Sequence, residues 1–134
     1  MILLDTHVLV RYMCNEGRLG KRTLSTIDRA VAKDELFVSA ISFWEVATLV
    51  ARGRLELDTT VAAFRDLAIR NGAREQVLDG DIATLAGELP DAHGDPADRM
   101  LVATAIIRGL MLVTADAVLL DWELRGFRAR DATE

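Results

Sequence analysis

His93-Gly94-Asp95-Pro96-Ala97-Asp98-Arg99-Met100-Leu101-Val102-Ala103-Thr104-Ala105 opens with two carboxylates three residues apart and runs on into apolar residues. Asp95 suits an N-cap, because its side chain can accept hydrogen bonds from the orphan N–H groups of a first helical turn. Pro96 follows at the position where a missing N–H costs nothing. Leu101, Val102, Ala105, Ile106 and Leu110 continue one apolar face, and Gly109 suits the residue just past the helix end. Directly after it, Met111-Leu112-Val113-Thr114 reads as an apolar strand. A helix feeding a strand in this way is the repeating piece of an α/β fold.

The alternation extends outward from this stretch. Ile2-Leu3-Leu4 predicts a short buried strand ending on Asp5, followed by apolar residues at helical spacing over Thr6–Met13. Gly17 and Gly20 mark a turn before a helix over Arg22–Lys33, and Leu36-Phe37-Val38 is a second strand. Ser42 and Glu45 match the S-x-x-E capping box, which gives Glu45 a structural role at the start of a helix that Gly53 stops. Another helix begins at Asp58 or Thr59 and closes at Asn71-Gly72. Gln76-Val77-Leu78 is a weak third strand, and Asp81–Leu89 a short helix ended by Pro90. Beyond the strand at Met111–Thr114, Ala115-Asp116 lead into a short helix with Val118, Leu119 and Trp122, and Gly126–Arg130 adds an edge strand. Trp44, Trp122, Phe37 and Phe64 read as core residues. No repeat, low-complexity tract or linker intervenes, so residues 1–134 read as a single α/β domain with a mostly parallel sheet covered on both faces.

Composition narrows the function classes. Hydrophobic residues make up 51% of the chain, which argues against disorder. No apolar run reaches the ~18 residues that a membrane span needs, and Met-Ile-Leu-Leu-Asp lacks the basic start of a signal peptide. A lone cysteine, Cys14, excludes an intrachain disulfide framework and fits a reducing cytoplasm, with Cys14 as a small packing residue. The formal net charge of −5 opposes general nucleic-acid binding. The charge is uneven, however: Arg11, Arg18, Lys21, Arg22, Arg29 and Lys33 face only Glu16 and Asp28 over residues 11–33. That strip is either a solvated helix face or a contact surface for an RNA backbone.

Four acids take comparable places. Functional crevices of open α/β sheets lie at the carboxyl ends of the strands. Asp5 closes the first strand, Asp116 stands just past the fourth, and Glu45 begins the helix after the second. Asp98 precedes a strand, and bringing it to the same edge needs a crossing that the pattern does not reveal. By itself Asp98 could serve only the helix dipole, worth about 0.3–1 kcal/mol. If three of these groups converge, each like-charge pair at ~4 Å costs about 4 kcal/mol at an effective dielectric of about 20. Such a cluster needs protons or a cation, and all-oxygen ligands suit Mg²⁺ or Mn²⁺. A metal there could assist phosphodiester hydrolysis, and would turn a pocket that repels phosphate into one that attracts it.

Leu4-Asp5-Thr6-His7, Ser42-Phe43-Trp44-Glu45, His93 through Arg99, and Val113-Thr114-Ala115-Asp116 together resemble a PIN-domain ribonuclease, in particular the VapC-type toxins of bacterial type II toxin–antitoxin systems. The similarity covers nearly the whole chain, with the four motifs in register. It implies a three-layer α/β/α sandwich and a Mg²⁺- or Mn²⁺-dependent endoribonuclease with Asp5, Glu45, Asp98 and Asp116 in the acidic pocket. Asp5, Asp98 and Asp116 would be metal ligands by this resemblance. Glu45 would ligate directly or through water, or help to activate the attacking water, while Thr6 and Thr114 would orient carboxylates. Ala97 departs from the pattern, standing where the family often has a larger aromatic residue. The resemblance also implies an RNA substrate, a homodimer and a cognate antitoxin whose tail enters the pocket, and no membrane.

Other residues carry two readings each. Asp95 is a cap or an additional site acid. His7 and His93 are bases or structural groups, each without a His or Cys at ligand spacing. Arg99 is a phosphate contact or an ion-pair partner, whereas Arg52 and Arg54 flank Gly53 as turn residues. Two other functions compete. In Asp-based phosphotransfer or phosphatase chemistry, Asp5 would need a second Asp two residues on, but Thr6-His7 follows instead. A catalytically silent, protein-binding domain of the same fold would have no need to keep all four acids.

Overall fold

The structure, a computed structural model, describes residues 1–90 and 94–134. Five short strands alternate with helices: β1 (Ile2–Leu4), α1 (Thr6–Cys14), α2 (Lys21–Ala32), β2 (Leu36–Ser39), α3 (Ala40–Ala51), α4 (Val61–Arg70), β3 (Arg74–Gln76), α5 (Gly80–Glu88), α6 (Pro96–Arg108), β4 (Met111–Thr114), α7 (Ala117–Asp121) and β5 (Ala129–Asp131). The strands form one sheet in the order β3-β2-β1-β4-β5, and every neighbouring pair is parallel. Ile2 faces Leu36 on one side and Met111 on the other, so β1 is the central strand.

Alternation along β1 divides the interior into two layers. Ile2 and Leu4 join one core with Val8, Leu9, Ile27, Phe43 and Phe64. Leu3 points to the opposite face and joins Ile82, Leu101, Leu112, Leu119 and Trp122. Successive side chains of a strand point to opposite faces, so a strand buried on both faces must be apolar throughout. The expected three-layer α/β/α sandwich is thus the observed one. Among the described residues, no helix is long and apolar enough to cross a membrane.

Several boundaries differ from expectation, each for a physical reason. The cap of α3 is Ser39, whose hydroxyl accepts from the Ile41 N–H at 3.1 Å, and not Ser42. Ser42 lies inside the helix, fully buried, so the Ser42–Glu45 capping box does not form. The third strand lies at Arg74–Gln76, two residues earlier than the expected Gln76–Leu78, because pairing of Val38 with Glu75 and Ser39 with Gln76 defines it. Trp44 is not a core residue: it is 60% exposed, whereas Trp122 and Phe64 are buried and Phe37 packs against the second core. The edge strand does form, as β5.

The crossing that carries Asp98 is an antiparallel pair, α5 and α6. Arg108, the last residue of α6, pairs with Asp79, the cap of α5. At the other end the Arg99 guanidinium donates to the carbonyls of Ala86 at 3.0 Å, Pro90 at 3.1 Å and Leu89. Asp95 caps α6 as expected, accepting from the Ala97 N–H at 2.9 Å. Since α6 leads into the start of β4, its own first turn, with Asp98, stands at the carboxyl edge of the sheet. His93 lies outside the described residues.

Candidate functional site

The strand order reverses between β1 and β4, and ligands of open α/β sheets bind at such a switch point, outside the carboxyl ends of the strands. Asp5 stands at the end of β1 and Asp116 two residues past β4. A cavity of about 380 Å³ opens there, and Asp5, Glu45, Asp98 and Asp116 all line it. Thr6, His7, Arg11 and Arg54 complete its polar wall, with Val10, Leu49 and Leu55 as its apolar side.

Asp5 is the most constrained of the four, with 3% of its surface exposed. Its Oδ1 accepts from the Thr6 N–H at 2.7 Å, capping α1, and its Oδ2 accepts from the Thr114 hydroxyl at 2.7 Å. Thr114 is fully buried, and its Oγ1 also accepts from the Asp116 N–H at 3.0 Å. One threonine therefore ties together the two acids that flank the switch point. Asp116 caps α7 in turn, accepting from the Val118 N–H at 2.8 Å.

Glu45 is held from a different direction. The Thr6 hydroxyl donates to its Oε1 at 2.5 Å, and the Thr6 and Ser42 hydroxyl oxygens lie 2.8 Å apart. A hydroxyl has a single proton, so with Thr6 donating to Glu45, Ser42 donates to Thr6. This relay replaces the capping box as the role of Ser42. Desolvation raises the Glu45 pKa to about 7; Asp98, Asp5 and Asp95 push it the same way, against the Thr6 hydrogen bond.

His7 joins the site more closely than its isolation in sequence suggests. Its Nε2 accepts from the Ala115 N–H at 2.9 Å, and its Nδ1 stands 3.5 Å from Asp5 Oδ2. Accepting at Nε2 places the ring proton on Nδ1, toward Asp5. Burial lowers the His7 pKa and Arg11 adds to this, opposed by Asp5 and Asp116. A neutral imidazole at neutral pH follows from both observations. The signal in the sequence was only its place two residues after a strand-end acid.

The arginines are redistributed relative to the sequence. Arg54, read as a turn residue, lines the cavity beside Arg11. The strip from Arg11 to Lys33 does not form one face, because Arg29 and Lys33 stand near Met1 and Glu35, at the opposite edge of the sheet. Arg99 is directed to the end of α5. Positive charge at the cavity wall thus comes from two separated places, the last turn of α1 and the turn after α3.

Among the described residues, no three His, Cys, Asp or Glu side chains stand close enough together to hold a metal ion as they are. The donor chemistry nonetheless fits a hard cation: oxygen ligands only, a partly desolvated carboxyl with a raised pKa, and room for retained water.

The PIN domain family model matches residues 2–121. Ribonuclease VapC22 of Mycobacterium tuberculosis is 36% identical over 116 residues, 86% of this chain and 86% of that protein. Among solved structures, VapBC2 from Rickettsia felis bound to a promoter DNA fragment superposes with a TM-score of 0.72 at 14% identity, covering 98% of each chain. FitAB bound to the IR36 DNA fragment gives 0.70 at 20% identity, covering 100% of this chain and 96% of that one. At those identities the two structures speak for the fold, while the family match and the relative speak for descent. On a match that runs through both cores and the switch point, the chain belongs to the PIN domain family.

Proposed function

We propose that this protein is a divalent-metal-dependent endoribonuclease, the toxin of a type II toxin–antitoxin pair. The observation that carries the reading is the lining of one cavity by four acids drawn from four separate chain segments, with two arginines at its wall. In this reading Asp5, Asp98 and Asp116 hold Mg²⁺ or Mn²⁺, with Glu45 as a direct or water-mediated ligand. When bound, such an ion supplies a Lewis acid and lowers the pKa of coordinated water.

The remaining work falls to the chain. Thr114 fixes Asp5 relative to Asp116, which sets the spacing of the ligands. Thr6 anchors Glu45 through Oε1, and Oε2 is assigned the proton taken from the attacking water. Accepting that proton requires the carboxylate form of Glu45, which a cation held by the neighbouring acids would favour. Arg11 and Arg54 bind the phosphate, which an acidic chain of net charge −5 would otherwise repel. Neither of the two lysines lines the cavity, which disfavours the phosphotransfer alternative. The partners in this reading are an RNA substrate, a cognate antitoxin and a second copy of the chain, in a reducing cytoplasm.

Incubation of pooled cellular RNA with Mn²⁺ tests the proposal. Cutting is expected with the metal, and is expected to vanish in EDTA and in Asp5→Asn. Cutting that persists in both controls, or protein that binds no Mn²⁺, would overturn it.

A further inference from the structure

Trp44 stands on α3 immediately before Glu45 and is 60% exposed. Leaving an indole in water forgoes most of the gain of its burial. The packing of α3 does not require it, since Phe43 and Val46 already turn toward the core. Trp44 lines a shallow groove of about 200 Å³ together with Thr48, Arg52, Asp95 and Ala97. Glu45 and Leu49 line both this groove and the acid cavity, so the two share a wall.

The surroundings of the ring favour one kind of occupant. The fully buried core of a protein interface is more apolar than the surface around it. None of the other exposed large hydrophobics among the described residues (Met1, Leu24, Leu67, Ile69, Val77 and Val118) lines this groove. The groove sets the indole among a guanidinium, a hydroxyl and two carboxylates, with Leu49 and Ala97 as its apolar lining. An exposed ring beside an arginine takes an unpaired nucleobase by stacking, while the arginine neutralises backbone charge.

The geometry points to Trp44 as a stacking platform, with Arg52 as a phosphate contact, for a nucleotide flanking the scissile phosphate of single-stranded RNA. This inference rests on the ribonuclease reading and deepens it. The scissile phosphate enters the acid cavity beside Arg11 and Arg54, and a neighbouring base lies across Glu45 on the indole. Two consequences follow. The substrate must be unpaired at that nucleotide, because bases inside a duplex have no free face. Identity of the base matters little there, because every base offers a π-face.

Trp122 is 8% exposed, so Trp44 is the solvent-facing member of the two tryptophans and its emission reports on the groove. The Asp5→Asn protein in EDTA would be titrated with a single-stranded oligouridine and with a duplex of equal length. The single strand is expected to quench the emission, and the duplex to do so far less. Anisotropy of a labelled oligouridine then measures Trp44→Ala, whose binding should weaken about 5- to 160-fold, the range set by loss of one base–aromatic stack. Trp44→Phe should retain most of the affinity. Arg52→Ala should reduce the salt slope by about one phosphate contact.

Equal affinity of Trp44→Ala and the parent would overturn the inference. So would sedimentation showing that Trp44→Ala dissociates a dimer while RNA affinity is untouched, which would assign the ring to a second copy. Failure of the nuclease reading looks different. In that case wild-type protein cuts no RNA with Mn²⁺ while single-strand quenching and its loss in Trp44→Ala persist, and the groove stands as a binding site alone.

Discussion

Asp5 and Thr114 stand 109 positions apart in sequence, yet the Thr114 hydroxyl donates to Asp5 Oδ2 and accepts from the Asp116 N–H. Thr114→Val keeps the shape and removes both bonds, so Mn²⁺ affinity should fall about 10- to 100-fold, as measured by calorimetric titration. Unchanged affinity would exclude Asp5 as a ligand oriented by this residue. Glu45 offers a pH test in the metal-free protein. Its folded pKa of about 7 lies above the ordinary 4.5, so the folded state holds its proton more tightly than the unfolded chain does. The Glu45 contribution to stability is therefore fully present below pH ~4.5 and is lost as pH rises through about 7. In EDTA the urea midpoint of the wild type should drop between pH 5 and 8 more than that of Glu45→Gln; parallel profiles would show that Glu45 is not desolvated. At this scale the sequence displayed the residue types but hid their partners. Ser42 looked like a cap because Ser39 and Ser42 both suit a helix start. The last pairing of β2, Ser39 with Gln76, ends the strand and begins the helix at the earlier serine.

The elements were legible where local chemistry decides them. Asp95, Pro96 and Gly109 delimit α6 because capping and a positive φ of 66° at Gly109 are properties of a few neighbouring residues. β3 was less legible, since an edge strand is defined by its partner more than by its own hydrophobicity. Its apolar neighbour Val77 is 60% exposed. Arg99 ties α6 to α5 by gathering carbonyls at the end of α5. Arg99→Met preserves the aliphatic stem and removes those charged hydrogen bonds, so stability should fall by about 1–3 kcal/mol in urea unfolding. A loss below the error of the measurement would mean that solvent serves those carbonyls equally well.

For the molecule as a whole, a net charge of −5 is combined with a cavity that four of the acids line. A cation that binds the folded state alone stabilises it by mass action, about 2.7 kcal/mol at a hundred times its Kd. Adding Mn²⁺ should accordingly raise the melting temperature. Asp98→Asn should abolish that response. A wild-type-like response in Asp98→Asn would place the metal elsewhere. By itself the sequence determined the α/β class, the parallel sheet buried on both faces and the four acids, because hydrophobic period, caps and strand-end residues are local signals. Only the tertiary structure decided that Asp98 reaches the edge where Asp5 ends β1, that Arg54 joins Arg11 in the cavity wall, and that Trp44 faces water. Those outcomes depend on strand order and helix pairing, which arise from contacts between residues far apart in the chain and leave no periodic trace within it.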